Sequence, residues 1–169
     1  MSESYDIQQV CENGHQITGC STIYPERQKE FCPKCGAPTL TACPACNKKI
    51  QGNRIRQHES FLDARRGATT MIPVGRANVP AYCSNCGKPY PWTENKIKTA
   101  IQIIEEFGDL SEEEKRTIEQ DLNNIAKDTP QTELSAMRIK RIWEKYGIVA
   151  YNVIMEFATK TAAEILKNP

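Results

Sequence analysis

The pattern of apolar and polar residues changes near residue 93. Before it, single aliphatic residues stand between turn residues such as Asn13-Gly14 and Gly19, which predicts short extended segments over residues 5–23. Two tight turns and a short strand-like link are predicted over residues 31–50. Residues 51–80 are polar and rich in Gly and Pro, which predicts an irregular insert with one short helix near residues 58–66.

After Thr93 the apolar residues recur with the period of an α-helix. Thr93 is the predicted N-cap of a first helix, and Ser111 with Glu114 forms a capping box that opens a second. Thr132 is the predicted cap of a third helix, and a fourth is predicted over residues 148–166. Four amphipathic helices joined by short loops predict a small antiparallel bundle.

Six of the eight cysteines form three Cys-x-x-Cys motifs, and each motif can present two thiolates to one metal ion from a tight turn. Tetrahedral zinc takes four such ligands, so two motifs complete a closed structural site. The clearer of two predicted zinc sites joins two motifs across a 36-residue spacer, a length that loop-closure entropy tolerates. Its ligands are Cys43, Cys46, Cys83 and Cys86.

The remaining Cys-x-x-Cys motif needs two more ligands from the residues before it. Cys11 supplies one, and His15 is favoured for the other because Gly14 allows a tight return and neutral imidazole is a good zinc ligand. Cys20 is the competing ligand and would make the site all-cysteine. If His15 binds the ion, Cys20 is either a small buried residue or the thiol of a redox sensor. The favoured ligands are Cys11, His15, Cys32 and Cys35.

The segment Cys11-Glu-Asn-Gly-His15, followed by Phe31-Cys-Pro-Lys-Cys-Gly36, resembles the double zinc ribbons common in bacterial proteins. The continuation from Cys43-Pro-Ala-Cys46 to Tyr82-Cys-Ser-Asn-Cys-Gly-Lys-Pro-Tyr-Pro-Trp92 resembles an uncharacterised bacterial family that carries a domain-of-unknown-function name. The resemblance covers residues 8–93 and extends to the helical tail. It implies a zinc-ribbon fold and bound zinc, it implies no established activity, and it has no place for Cys20.

Together these patterns predict an α+β protein with two zinc ions. Residues 1–93 form a small β-rich double zinc ribbon with a basic insert at about 47–82, and residues 94–169 form a domain of about four helices. No apolar run approaches the roughly 20 residues that span a bilayer, so no membrane association is expected. The polar, acidic start is unlike a secretory signal, which favours the cytoplasm, where thiols stay reduced and bind metals.

The formal net charge of +1 is unevenly spread, with +4 over residues 1–93 and −3 over residues 94–169. Deprotonated ligand thiols in two zinc sites would lower the first balance to about +1. The insert alone carries +5, and its arginines could contact the phosphates of a nucleic acid or an acidic protein partner. The alternative is a solvated insert whose arginines pair with the acidic helices or flank the thiolates. These arginines are Arg54, Arg56, Arg65, Arg66 and Arg76.

Catalytic groups are scarce in the sequence. Both zinc sites are closed when all eight ligands are used, and neither a phosphate-cradling Gly-rich motif nor a nucleophile elbow occurs. His58-Glu59 resembles half of a zinc-deaminase motif, but the glutamate is one position early and the proline before Cys83 is missing. The sequence therefore predicts a non-enzymatic zinc-binding adaptor whose helical domain binds a protein partner or a second copy of the chain. The alternative is a nucleic-acid-binding zinc ribbon.

Overall fold

A computed structural model describes residues 4–58, 65, 69–107, 110–146, 154–155 and 158–167. The described residues form small antiparallel sheets in the N-terminal part and four α-helices in the C-terminal part, which confirms the predicted α+β class. The chain divides into two compact units, residues 1–92 and residues 93–169.

Six strands and one 3-10 helix are described in the first unit. They are β1 (Ser4–Ile7), β2 (Gln9–Cys11), β3 (Gln16–Thr18), the 3-10 helix Pro25–Arg27, β4 (Thr39–Leu40), β5 (Gln51–His58) and β6 (Thr70–Val74). The strands form two three-stranded antiparallel sheets, of order β1-β5-β6 and β3-β2-β4. Gln8 lies where the chain passes from one sheet to the other. Its buried side-chain amide donates to the carbonyls of Gln51 and Asn78, at 2.7 and 3.0 Å, and so holds this junction.

The segment predicted as an irregular insert is largely a β-ribbon. Strand β5 pairs with β1 on one edge and with β6 on the other, in a register that sets Arg54 opposite Val74 and His58 opposite Thr70. The prediction was wrong because it relied on apolar content, whereas β5 exposes mostly polar side chains and is held by backbone hydrogen bonds on both edges. His58 lies in the strand, and most of the helix predicted near residues 58–66 lies outside the described residues.

The apolar core of the first unit is small and includes two cysteines of the predicted metal sites. Its buried residues are Val10, Cys43, Ile50, Cys83, Tyr90 and Trp92. The rings of Tyr90 and Trp92 stack with their centroids 4.5 Å apart, and the Trp92 indole N–H donates to the Pro80 carbonyl at 2.8 Å. Packing of this core therefore depends on where the cysteines are held.

The helices described in the second part of the chain are α1 (Pro91–Phe107), α2 (Glu112–Lys127), α3 (Thr132–Tyr146) and α4 (Lys160–Lys167). The predicted capping box of α2 is confirmed, because the Glu114 N–H donates to the Ser111 hydroxyl and the Ser111 N–H donates to the Glu114 carboxylate. Helix α1 begins before Thr93, its predicted cap, since Pro91 has the fixed φ that suits the start of a helix. Thr132, the predicted cap of the third helix, is its first residue instead.

Helix α2 packs against α3, and α3 packs against α4. Their buried aliphatic residues include Ile118, Leu122, Ile125, Ile139 and Leu166. The fourth predicted helix is interrupted, because Ala158 and Thr159 are not helical and the Thr159 hydroxyl accepts from the Ala162 N–H at the start of α4. Residues 148–153 and 156–157 of that prediction lie outside the described residues. Within the described part of the chain, no helix combines the length and the apolar character that a membrane crossing requires.

Candidate metal centres

The three Cys-x-x-Cys motifs fold into the same turn. The residue after the second cysteine of each motif has a positive φ, of 70° at Gly36, 57° at Asn47 and 69° at Gly87. Its N–H donates to the carbonyl of the first cysteine of that motif, at 2.8 to 2.9 Å. This shared backbone geometry brings both thiols of a motif into one cluster.

A fourth turn joins Cys11 and His15. Gly14 has a φ of 84°, its N–H donates to the Cys11 carbonyl at 2.8 Å, and the Cys11 N–H donates to the His15 carbonyl at 3.0 Å. Only glycine adopts this φ without strain. The tight return that Gly14 was predicted to allow is therefore confirmed.

Cluster 1 consists of Cys11, His15, Cys32 and Cys35, whose ligand atoms all lie within 4.8 Å of one another. His15 Nδ1 lies 3.5 Å from Cys11 Sγ and 3.6 Å from Cys32 Sγ, and Cys11 Sγ lies 3.8 Å from Cys35 Sγ. The structure thus brings together the four residues favoured for the first site. Sulfur and imidazole ligands in this arrangement could hold a metal ion.

Cluster 2 consists of Cys43, Cys46, Cys83 and Cys86, whose sulfurs also lie within 4.8 Å of one another. Cys43 Sγ is 3.8 Å from Cys86 Sγ, and Cys46 Sγ is 3.6 Å from Cys83 Sγ. Cys43 and Cys83 are buried, whereas Cys86 is exposed. The cluster therefore reaches from the apolar core to the surface of the first unit.

Cys20 joins neither cluster in the described residues. It is buried, its N–H donates to the Thr18 hydroxyl at 3.2 Å, and burial, followed by the charge of Asp6, raises the pKa of its thiol. All eight cysteines are among the described residues, and none forms a disulfide. The structure thus places His15, and not its competitor Cys20, beside Cys11.

Hydrogen bonds and burial set the acidity of the thiols in cluster 1. The Ala37 N–H lowers the pKa of Cys35 to about 6, with help from the Asn13 side-chain amide 3.4 Å from Cys35 Sγ. Cys11 is buried, and burial raises its pKa. A cation in the cluster would favour the thiolate form of each cysteine ligand, because it replaces repulsion among the sulfurs with attraction to the ion.

In cluster 2 the backbone N–H of Asn85, followed by that of Cys86, lowers the pKa of Cys83 to about 6. The Asn85 side-chain amide lies 3.6 Å from Cys46 Sγ, and Tyr90 packs with Cys83 in the buried core. Burial, and then the charge of Cys83, raises the pKa of the Tyr90 phenol. Amide donors such as Asn85 orient metal ligands and reduce the charge on their sulfurs.

Asn13 and Asn85, which donate to sulfurs of the clusters, were not predicted as site residues from the sequence. A positional signal was present, because Asn13 and Asn85 each stand two residues after a ligand cysteine, Cys11 and Cys83. Each of these asparagines donates to a sulfur of the opposite turn in its cluster. The two clusters therefore share the position of an amide donor as well as the form of their turns.

The structure brings two of the predicted arginines together. Arg54 on β5 and Arg76 after β6 line a cleft of about 390 Å³ with Lys49, and this cleft also contains aromatic residues. Arg76 is held by its Nε–H, which donates to Gln16 at 3.1 Å. The aromatic residues of the cleft are Tyr5, Tyr82 and Tyr90. We name this the basic cleft, and no carboxylate lines it in the described residues.

Two other predicted arginines are described and do not line the basic cleft. Arg56 lies two residues along β5 and is exposed, and Arg65 is also exposed. Arg66 lies outside the described residues. Among the described arginines of the insert, the cleft therefore gathers Arg54 and Arg76.

Comparison with known proteins gives one match. The model of a family described as an uncharacterized protein conserved in bacteria, DUF2321, matches residues 4–168. No curated protein and no solved structure matches the chain.

Proposed function

The chain belongs to the bacterial family DUF2321, and for this member we propose the function of a non-catalytic adaptor. In this proposal two structural zinc ions hold the first unit, at clusters 1 and 2, and the helical unit binds a protein partner. The observation that carries the proposal is the presence of two clusters with four protein ligands each. The proposal places the protein in a reducing compartment, where its eight free thiols would persist.

The ligands and their separations support zinc as the metal. Tetrahedral zinc has Zn–S distances of about 2.3 Å and Zn–N distances of about 2.0 Å, which place two ligand sulfurs about 3.8 Å apart and a sulfur and a nitrogen about 3.5 Å apart. Three sulfur pairs, Cys11–Cys35, Cys43–Cys86 and Cys46–Cys83, are separated by 3.6 to 3.8 Å, and His15 Nδ1 lies 3.5 and 3.6 Å from two sulfurs. Cysteine and histidine in this number are the usual ligands of structural zinc.

Saturation of the clusters supports a structural role for both ions. A catalytic zinc keeps one position for water or substrate. Four protein ligands at tetrahedral spacing would leave no such position in either cluster. Turnover of a substrate with both clusters loaded, abolished by substitution of a residue that binds no metal, would overturn the adaptor proposal.

The exposed face of α3 supports the helical unit as the part that binds a partner. Leu134 and Met137 are 47% and 53% exposed, which is high for large apolar side chains. Arg138 and Arg141 follow them at helical spacing, so the four side chains share one face of the helix. Apolar residues beside arginines are typical of protein interfaces.

The adaptor proposal is tested by photo-crosslinking in bacterial cells. A photoreactive amino acid is placed at residue 134 or 137, and at the exposed Glu119 of α2 as the control. We expect discrete adducts from the α3 positions and none of the same mass from residue 119. An adduct with twice the mass of the chain would identify a second copy as the partner. Equal labelling at all three positions, or no adduct at any, would contradict the proposal.

The basic cleft favours a second candidate function, which is binding of single-stranded nucleic acid. Lys49, Arg54 and Arg76 offer positive charge for phosphates, and the tyrosines of the cleft offer faces on which bases can stack. The test is titration of fluorescent RNA and DNA with the metal-loaded protein at about 50 and about 200 mM salt, where phosphate-driven affinity falls steeply.

A triple Ala variant of the three cleft cations should then reduce the slope of log affinity against log salt by about 2 to 3. A matched variant with Lys34, Lys48 and Lys88 changed to Ala removes three exposed charges of the same unit outside the cleft. Equal losses of affinity in the two variants would show that binding depends on the overall positive charge of the unit and not on the basic cleft. No binding at the lower salt would exclude this second function.

A further inference from the structure

The helical unit contains a cavity that the adaptor proposal does not use. It has a volume of about 510 Å³ and is lined by residues of α2 and α3 and by the residues just before α2. Its lining includes the aliphatic residues Leu110, Ile118 and Ile142. The charged residues of the lining are Glu113, Glu114, Asp121, Arg138 and Arg141. This volume lies within the range of about 300 to 1,000 Å³ that is typical of small-molecule sites.

Asp121 on α2 is the unusual residue of this cavity, because its side chain is only 3% exposed. Its Oδ1 accepts a hydrogen bond from the Ser135 hydroxyl at 2.8 Å. Its Oδ2 is buried as well and has no hydrogen-bond donor among the described residues. A buried carboxylate oxygen without a donor is costly, since it has lost its water and gained nothing in return.

Arg138 does not satisfy this carboxylate. Its guanidinium approaches Oδ1 and not Oδ2, at 3.5 Å, and its side chain is half exposed. This contact is too long for a strong charge-assisted hydrogen bond, and it leaves Oδ2 without a donor. Because Asp121 lines the cavity, a molecule bound there could supply the missing donor to Oδ2.

We propose that this cavity binds a primary ammonium group at the end of an apolar stem. The ammonium donates to Asp121 Oδ2, and the stem lies against Leu110, Ile118 and Ile142. Glu113 at the side of the cavity adds a second negative charge. An ammonium matches the site because it offers three donors and a full positive charge to a buried carboxylate.

Two sources could supply such a group, namely a free alkylamine or the lysine side chain of a protein. The inference goes beyond the adaptor proposal, since a free amine would bind without a protein partner. Only binding of a lysine side chain requires the protein partner of the adaptor proposal and so rests on the proposed function. Failure of the crosslinking experiment would therefore leave the amine site standing.

The experiment is a titration of the metal-loaded, ¹⁵N-labelled full chain followed by NMR amide shifts. Pentylammonium is the probe, and pentanol and pentanoate are controls with the same stem and a neutral or negative head. We expect saturable shifts at the amides of residues 110–121 and 138–142 with pentylammonium alone. A capped peptide with a central lysine, compared with the same peptide carrying norleucine, identifies the source. Tighter binding of the lysine peptide than of pentylammonium indicates a partner protein, and the reverse indicates a free amine.

Two substitutions test the role of Asp121. Asp121→Asn keeps the size of the side chain and an oxygen for Ser135, but it turns an amide donor toward the ammonium, so affinity should fall by at least about tenfold. Glu119→Gln removes the same charge from an exposed position of α2 outside the cavity and should leave affinity unchanged. Arg138→Gln removes a competing cation and should strengthen pentylammonium binding, which keeps the test decisive if Asp121→Asn folds poorly.

Three results would overturn the proposal. The first is the absence of saturable shifts at the cavity, which would indicate that water alone satisfies Asp121. The second is equal affinity of Asp121→Asn and the unsubstituted protein. The third is preferential binding of pentanoate, weakened by Arg138→Gln, because it would show that the arginines recognise an anion instead.

Discussion

Loss of the ion from cluster 2 should unfold the core of the first unit, whereas loss of the ion from cluster 1 should not. Cys86→Ser and Cys35→Ser form a matched pair, because each removes the exposed second cysteine of a Cys-x-x-Cys motif. Each variant should lose one bound ion, measured by elemental analysis. Only cluster 2 shares ligands with the apolar core, through Cys43 and Cys83.

The size of the effect follows from this core. The side chains of Val10, Ile50, Tyr90 and Trp92 are at most 4% exposed. Burial of each contributes about 1.5 to 3 kcal/mol, or about 6 to 12 kcal/mol together. A structural zinc site in a small peptide contributes about 10 to 16 kcal/mol, which is comparable to or greater than the contribution of this whole group of side chains. Since native domains are stable by only about 5 to 15 kcal/mol, the core should not survive without the ion.

Near-ultraviolet circular dichroism measures this outcome, because the stacked rings of Tyr90 and Trp92 absorb there. A Trp143→Phe background removes the signal of the other tryptophan. Cys86→Ser should lose the near-ultraviolet band, Cys35→Ser should keep most of it, and Cys20→Ser should keep both the band and both ions. A band that persists in Cys86→Ser after loss of the ion, or equal losses in Cys35→Ser and Cys86→Ser, would refute the reasoning.

Three further predictions concern single residues. Gly14→Ala should destabilise the first unit by on the order of 1 to 3 kcal/mol, because φ there is 84° and the new methyl carbon would lie 3.1 Å from Trp92 Cβ. Urea unfolding measures this loss, and an unchanged unfolding midpoint would contradict the prediction. Ser111→Ala should cost the helical unit about 1 kcal/mol in thermal unfolding followed at 222 nm, while the exposed Ser84→Ala costs nothing. Cys20 should react slowly with iodoacetamide at neutral pH in the loaded protein, because burial raises its pKa; rapid labelling in mass spectra would oppose this.

The grouping of the cysteines could be predicted from sequence because ligand chemistry is largely local. A Cys-x-x-Cys turn needs a positive φ after its second cysteine, and glycine or asparagine at that position supplies it, as Gly36, Asn47 and Gly87 do. The capping box at Ser111 is equally local, since both of its hydrogen bonds fall within four residues. Features of this kind leave a readable mark in a few consecutive residues.

Strand β5 could not be predicted in the same way. Its stability comes from pairing with β1, more than 40 residues earlier in the chain, and with β6 after it. The amide donors of the clusters are similar, because Asn85 lies beside Cys86 in sequence but donates to Cys46 in the structure. The lack of a donor for Asp121 Oδ2 also depends on how α2 packs against α3, and the helical period of the sequence does not specify that packing.

Cluster 2 connects the metal proposal to the second candidate function. The basic cleft contains Tyr82, which precedes the predicted ligand Cys83, and Tyr90, which packs with Cys83 in the buried core. An ion in cluster 2 would therefore fix these two tyrosines of the cleft, whereas Arg54 and Arg76 lie on β5 and just after β6. Any ligand that binds the cleft by stacking on these tyrosines should lose affinity when the ion of cluster 2 is removed. Affinity that comes from the positive charges alone should not depend on the ion. Loss of affinity on metal removal therefore distinguishes stacking on ordered tyrosines from attraction to a basic surface.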